Sequence, residues 1–270
     1  MITLKEKILE EYTIFIAGHK DNSNALNTNP FNIPTKFIDI VDKNNKIFLD
    51  LLNQLDGISY GNKNLAMPKW VGLDCGLLPS VFIGLAKPKD QTEDKILKKF
   101  SIPSGYKGLI PISEFCALQK LENKKNNTMV VHTLACIEQN KGLGFATEVV
   151  GFKIYNAHKI FSIAQYNNHA IKIHSKIANL NLITTTTPMH ELSDQTFIYE
   201  CNIPTNLEKL LVNGNIKPKK YDFLLNPNNK TMKNLIQKNI SEKIAEYHIV
   251  YPGQIYQNHK LYITLIQKIL

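Results

Sequence analysis

The sequence predicts an α/β protein. Between residues 129 and 177 it alternates strand-type and helix-type runs in the order strand, glycine-rich loop, helix, strand, short helix. More runs rich in β-branched and aromatic residues lie before and after this stretch. With 270 residues, 43% of them hydrophobic, the chain can bury a substantial core as one large domain or two small ones.

From the N-terminus onward, hydrophobic spacing and turn residues predict the individual elements. Apolar residues at helical spacing predict a helix over residues 37–55. Strands are predicted at residues 70–73, 80–87, 108–118, 129–136, 180–187 and 196–201. A later helix is predicted over residues 231–247, whereas the last run, residues 260–270, fits a strand or a helix.

The glycine-rich loop at residues 139–144 reads Gln-Asn-Lys-Gly-Leu-Gly and precedes a helix predicted over residues 145–160. Its two glycines can adopt positive φ and let the backbone approach a ligand closely. The helix that follows would direct unpaired N–H groups and its positive dipole end at an anion. The loop therefore indicates a phosphate-bearing cofactor, although plain turn geometry also explains a G-x-G at this place.

The next predicted elements are a strand over residues 161–166 and a short helix. Asn167 can cap that helix, and Ala170, Ile171 and His174 share one of its faces.

These motifs together resemble the GNAT superfamily of acyl-CoA-dependent N-acetyltransferases. Members carry (Q/R)-x-x-G-x-(G/A) after the fourth core strand, and residues 139–144 fit that pattern. Many also carry N-x-x-A-(I/V)-x-x-Y-x-K about thirty residues later. Here Asn167, Ala170, Ile171 and Lys176 match the second motif, and His174 stands at its tyrosine position. The resemblance covers roughly residues 80–200.

The resemblance implies a GNAT-type mixed central sheet flanked by helices, with N-terminal and C-terminal extensions. The expected division is an N-terminal helical and loop region (1–65), an acyl-CoA-binding core (66–204) and a lysine-rich C-terminal extension (205–270). The implied cofactor is acetyl-CoA or another acyl-CoA. The residues expected to hold it are Leu134, Cys136, Gln139, Asn140, Lys141, Gly142, Leu143, Gly144, Phe145, Asn167 and Ala170.

Acetyl transfer to an amine needs a base that deprotonates the ammonium form and a group that assists the departing thiolate. The resemblance implies His132 as the base, acting through water, and His174 as the acid. Glu114 and Glu122 are competing bases. His132 packed inside the sheet and His174 as a half-buried helix residue are the structural alternatives.

Composition bounds the other function classes. The net charge is +9, yet the chain contains no arginine, which argues against dedicated nucleic-acid recognition. Its four cysteines form no C-x-x-C pair and its histidines show no zinc-type spacing with them, so no metal site is predicted. Neither a signal peptide nor a run of eighteen apolar residues is present, and a cytoplasmic protein is expected.

The predicted function is N-acetyltransferase activity that moves an acetyl group directly from acetyl-CoA to a small-molecule primary amine, without an acyl-enzyme intermediate. The first alternative is a catalytically silent acyl-CoA-binding or regulatory module of the same fold. A lysine-rich nucleic-acid-binding protein is a second and less favoured alternative. The sequence leaves the oligomeric state undecided, with a homodimer as one alternative, and it does not identify the acceptor.

Overall fold

The computed structural model describes residues 4–21, 35–61, 66, 68–77, 81–119, 127–137, 142–188, 192–213 and 216–270. The chain divides into two compact units. The first comprises residues 1–127 and 131–157, and the second comprises residues 128–130 and 158–270.

The first unit is built on a mixed sheet. Its strands are β1 (Thr13–Gly18), β2 (Thr35–Asp39), β3 (Phe82–Pro88), β4 (Leu109–Gln119) and β5 (Thr128–Cys136), in the spatial order β2-β1-β3-β4-β5. Strand β1 runs parallel to β2 and antiparallel to β3, and β3 runs antiparallel to β4. This register places Ala17 opposite Phe82 and Gly84 opposite Glu114, so all three strands contribute to the same region of the sheet.

The described part of the first unit contains the helices α1 (Leu4–Glu11), α2 (Lys46–Tyr60), α3 (Lys69–Leu77), α4 (Asp94–Leu97) and α5 (Leu143–Ile154). Helix α5 packs on one face of β4, where the Ser113 hydroxyl hydrogen-bonds with Thr147 and the Phe115 ring packs edge-on against Phe152. Because successive side chains of a strand point to opposite faces, Glu114 points away from α5. Helix α2 also contacts β4.

The second unit carries strands β6 (Lys159–Gln165), β7 (Leu180–Thr184), β8 (Thr196–Asn202), β9 (Phe223–Leu225), β10 (Ala245–Gln257) and β11 (Lys260–Ile269), with helices α6 (Ala170–Ile177), α7 (Glu208–Asn213) and α8 (Lys230–Ser241). Residues Thr128–Val130 of β5 pair in parallel with Lys159–Phe161 of β6. The remaining order is β6-β8-β7-β10-β11-β9, and these neighbours are antiparallel. The buried rings of Tyr166, Phe197 and Tyr199 lie in the core of this unit.

The predicted α/β class, with a mixed sheet flanked by helices, is confirmed. The strands predicted at 80–87, 108–118, 129–136, 161–166 and 196–201 correspond to β3, β4, β5, β6 and β8, and the final run is strand β11. The strand predicted at 180–187 is the shorter β7, which ends at Thr184.

Several predicted boundaries are wrong. Residues 70–73 lie in helix α3, since periodicity alone cannot separate a short apolar run of a strand from one of a buried helix. The stretch 37–55 contains the end of β2 and the start of α2, which begins at Lys46. Helix α5 ends at Ile154, and β6 begins at Lys159. Helix α8 ends at Ser241, and β10 begins at Ala245.

Among the helices that the structure describes, none is long and apolar enough to cross a membrane.

Candidate active site

A cavity of about 650 Å³ lies within the first unit. Ala17 of β1, Phe82 of β3 and Glu114 of β4 line it from the sheet, which follows from the register of these strands. Residues of α2, α3 and the loop after β2 line the rest of it. Its volume falls in the range of sites that bind small molecules.

Two buried carboxyl groups line this cavity. Glu114 is 1% exposed and Asp56 of α2 is 3% exposed. Burial raises the pKa of Glu114 well above its ordinary value, and the charge of Asp56 raises it further. The Oε1 atom of Glu114 is buried and makes no hydrogen bond to any residue that the structure describes. A carboxyl group in this state can take up a proton or accept a hydrogen bond from a ligand.

His132 lies on β5 and is exposed, and it interacts with the thiol of Cys75 in the first unit. The hydrogen bond with Cys75 of α3 raises the pKa of His132, partial burial opposes this, and the charges of Cys75 and Asp56 raise it further. The pKa of Cys75 is lowered by hydrogen bonds with Cys116 of β4 and with His132. These shifts favour a thiolate paired with an imidazolium.

Tyr60, near the end of α2, donates a hydrogen bond from its hydroxyl to the Leu134 carbonyl oxygen on β5. Burial raises the pKa of Tyr60 to about 12, hydrogen bonds with Thr133 and Leu134 oppose this, and the charges of Glu114 and Asp56 add to the rise. The phenol is therefore protonated at neutral pH, and it holds α2 against β5.

The described part of the glycine-rich loop begins at Gly142, which has φ +74° and stands at the N-cap of α5. This left-handed conformation strains any residue with a side chain, so the position favours glycine. The first helical turn carries Leu143, Gly144 and Phe145, and the Ala146 N–H donates a hydrogen bond to the Gly142 carbonyl oxygen. Gly144 lies inside the helix, and its φ is not in the left-handed region.

The other predicted cofactor residues are distributed over both units. Leu134 and Cys136 lie on β5 in the first unit and are partly buried. Asn167 and Ala170 lie in the second unit. Gln139, Asn140 and Lys141 of the loop, and the competing base Glu122, fall outside the described residues.

Helix α6 is capped differently from the prediction. His169 occupies the N-cap position, and the Asn168 side chain accepts a hydrogen bond from the Ala170 N–H at 2.9 Å. The prediction that Asn167 caps this helix is wrong: the N-cap lies two residues later, and the side-chain acceptor is Asn168, one residue later. Asn167 is exposed, so its amide is open to another partner.

His174 is completely buried in α6. Its Nδ1 atom hydrogen-bonds with the Tyr199 hydroxyl of β8, and the two rings pack edge-on. His174 is therefore more deeply buried than the half-buried alternative expected, and its role as an acid stays a prediction.

Sequence reasoning missed Asp56, Tyr60 and Cys75. Asp56 follows Leu55 and lies within the buried face of an amphipathic helix, where a charged residue is rarely buried without a role. The position of Asp56 on this apolar face could therefore have identified it from the sequence as a candidate functional residue. The contact between Cys75 and Cys116 had no sequence signal, because 40 residues separate the two thiols. Among the residues described, no group of His, Cys, Asp and Glu side chains is arranged to hold a metal ion.

No protein-family model matches the sequence, and no curated protein matches it. Several solved structures resemble the chain weakly. One is nourseothricin acetyltransferase, with 10% identity over 46% of this chain and 66% of that one, just under two thirds of its length, at a TM-score of 0.32.

A second is a chain of the NatC complex bound to Gag peptide and CoA, with 11% identity, 62% and 96% coverage, and a TM-score of 0.40. A third is a probable acetyltransferase from Staphylococcus epidermidis, with 10% identity, 60% and 94% coverage, and a TM-score of 0.32. These scores are too low to assign function, which therefore depends on the residues of the site.

Proposed function

We propose that this protein is an acyl-CoA-dependent N-acetyltransferase that acetylates a primary amine by direct transfer, with Glu114 as the general base. The observation that carries the proposal is a buried glutamate with a raised pKa, lining a cavity of about 650 Å³. The same unit contains the glycine-rich loop and helix α5.

The reaction requires a base whose pKa is higher inside the site than in water. An amine enters mainly as its ammonium form, which cannot attack a carbonyl carbon. A buried carboxylate with a raised pKa accepts a proton more readily than an exposed one, and catalysis is most efficient when that pKa approaches the working pH. Acetyl-CoA supplies the acetyl group as a thioester, whose carbonyl carbon the neutral amine attacks and whose thiolate leaves and takes up a proton.

His132 is the weaker candidate for the base. Its hydrogen bond with Cys75 and the charge of Asp56 favour the imidazolium form, which has no lone pair to accept a proton. His132 is also not among the residues that line the cavity, whereas Glu114 is. His132 therefore serves better as the partner of Cys75.

The residues at the start of α5 fit the diphosphate of an acyl-CoA. Gly142 combines positive φ with a place directly before a twelve-residue helix, so the backbone can pass close to an anion and the first N–H groups point at it. Leu134 and Cys136 on β5 remain the proposed contacts for the pantetheine arm on this side. Asn167 and Ala170 stay proposed cofactor residues on the basis of the sequence motif.

Replacing Glu114 by glutamine tests the proposal because it keeps the shape and removes the base. We expect the Glu114→Gln enzyme to lose about a hundredfold or more in turnover with a responsive amine, while the Kd for acetyl-CoA changes by no more than a few fold. Steady-state kinetics and calorimetry measure the two quantities. Glu10→Gln, on the exposed face of α1, is the control and should behave like the wild type.

Two other results have definite meanings. Near-normal turnover in Glu114→Gln, together with a loss of about a hundredfold or more in the turnover of His132→Gln, would identify His132 as the base. Tight binding of acetyl-CoA without turnover of any amine would establish the silent acyl-CoA-binding module instead.

A further inference from the structure

We infer that the cavity accepts a primary amine whose ammonium group is its only charge and is joined to an apolar body, and that Gly72 of α3 keeps open the space for that body. This inference rests on the proposed function and specifies its acceptor.

The carboxyl groups define where the ammonium belongs. Glu114 and Asp56 are both at least nine-tenths buried, and both line the cavity. The buried Oε1 atom of Glu114 makes no hydrogen bond to any described residue, so it can accept one from an ammonium N–H. A cation placed there gains from two nearby acidic groups in a region of low dielectric.

The remaining walls do not suit a second charge. Apolar residues from β1, β3, α2, α3 and the loop after β2 line the cavity: Ala17, Phe82, Leu52, Leu73 and Ile40. A second ammonium group against these side chains would lose its hydration without gaining a partner.

The other charged residues of the lining offer no second acidic pair. Lys46 pairs with Asp50 at 2.5 Å, and Lys69 pairs with the same carboxylate. Lys43 and Asp42 also line the cavity, so these five residues together carry one net positive charge. A second ammonium group therefore gains less from these residues than the first gains beside Glu114 and Asp56, which disfavours a polyamine relative to an apolar monoamine.

Gly72 controls the width of the cavity. It lies within α3, where glycine is a poor helix former, and it lines the cavity. A Cβ atom added at Gly72 would meet only the Phe82 ring, with Cζ at 3.9 Å, which is ordinary van der Waals contact. A larger side chain therefore fits at its Cβ atom without a clash, and its outer atoms would extend into the part of the cavity that the body of the amine needs.

Gly57 offers a matched control. It also lies inside a helix, α2, it is exposed, and an added Cβ has no atom within 4 Å. It does not line the cavity. Gly72→Leu and Gly57→Leu therefore make the same chemical change in the same type of backbone, once inside the cavity and once outside it.

The test measures amine binding directly by calorimetry, with 2-(1-naphthyl)ethylamine, ethylamine and spermidine as probes. The wild type should bind naphthylethylamine more tightly than spermidine. Gly72→Leu should weaken naphthylethylamine binding by about tenfold or more while changing the ethylamine affinity little. Gly57→Leu should leave all three affinities unchanged, and Gly72→Ala, which adds one methyl group, gives a smaller loss in the same direction.

Tighter binding of spermidine, or equal loss of both monoamines in Gly72→Leu, would overturn the inference. Failure of the proposed function gives a different result, because naphthylethylamine would then bind as expected while acetyl-CoA is not consumed in its presence.

Discussion

At the scale of the residue, Glu114 combines a catalytic opportunity with a thermodynamic cost. The side chain is 1% exposed on β4, and burial disfavours its charged form. Asp56 and Tyr60 are the other titratable groups that interact with it, and the negative charge of Asp56 raises its pKa further. The protein therefore holds a proton on Glu114 more tightly when folded than when unfolded.

This pKa shift predicts how stability changes with pH. The contribution of Glu114 to stability is fully present below the ordinary pKa of 4.5 and is lost as pH rises through the raised pKa of the folded state. Glu114→Gln has no such proton. As pH rises between the two pKa values, the free energy of unfolding of the wild type should therefore fall relative to that of Glu114→Gln by up to about 1.4 kcal/mol per pH unit. Urea unfolding at pH 4.5 and at several higher values measures the difference.

The exposed Glu10→Gln variant controls for the effect of a Glu→Gln substitution elsewhere in the first unit. A constant difference between Glu114→Gln and the wild type over this range would mean that the pKa of Glu114 is not raised in the folded protein.

At the scale of the element, two adjacent asparagines precede helix α6, and they have different surroundings. Asn168 accepts the hydrogen bond from the Ala170 N–H, and its neighbour Asn167 is exposed. Two adjacent asparagines thus have different roles, which the sequence motif alone does not distinguish.

We expect Asn168→Ala to lower the free energy of unfolding by about 1 kcal/mol, since it removes a hydrogen bond at the start of the helix. Asn167→Ala should change stability by less than about 0.5 kcal/mol. If Asn167 contacts the pantetheine arm, only this second variant weakens acetyl-CoA binding. Chemical denaturation and calorimetry of both variants decide the matter, and the reverse pattern of stability losses would contradict the cap seen in the structure.

At the scale of the whole molecule, ligand binding and global stability are linked. A ligand that binds the folded chain and not the unfolded one stabilises it by about 2.7 kcal/mol at a hundred times its Kd. For a chain of 270 residues, this corresponds to a rise of several degrees in the melting temperature.

Acetyl-CoA should produce that rise in the wild type and a smaller one in Gly142→Val at the same concentration. Gly105→Val is the control, because Gly105 also has positive φ, at +79°, and an added Cβ there meets no atom within 4 Å. Both variants should melt earlier through backbone strain, yet Gly105→Val should keep the full acetyl-CoA shift. Equal shifts in both variants, measured by thermal denaturation, would remove Gly142 from the proposed cofactor site.

Local sequence determined much of this protein. Apolar runs with β-type residues predicted strands β3, β4 and β5, because a strand buried in a sheet needs little beyond its own side chains to be identified. The glycine-rich loop predicted a strand-to-helix turn, and Gly142 adopts the positive φ that only glycine takes without strain. Glu114 was among the candidate bases because it lies on the strand-like segment that precedes the one carrying His132.

Tertiary structure decided which of the candidates share an environment. Asp56 and Glu114 are 58 positions apart and line one cavity because α2 packs on β4, and the resulting burial sets the pKa of Glu114. His132 lies beside Cys75 through a contact that no sequence spacing predicts, and its role as a base stays a prediction. Residues 70–73 became helix rather than strand for a related reason: periodicity in a short apolar run fits both, so packing and not local pattern selects the conformation. Propensity acts over a few residues, whereas burial and charge depend on neighbours that only the folded chain brings together.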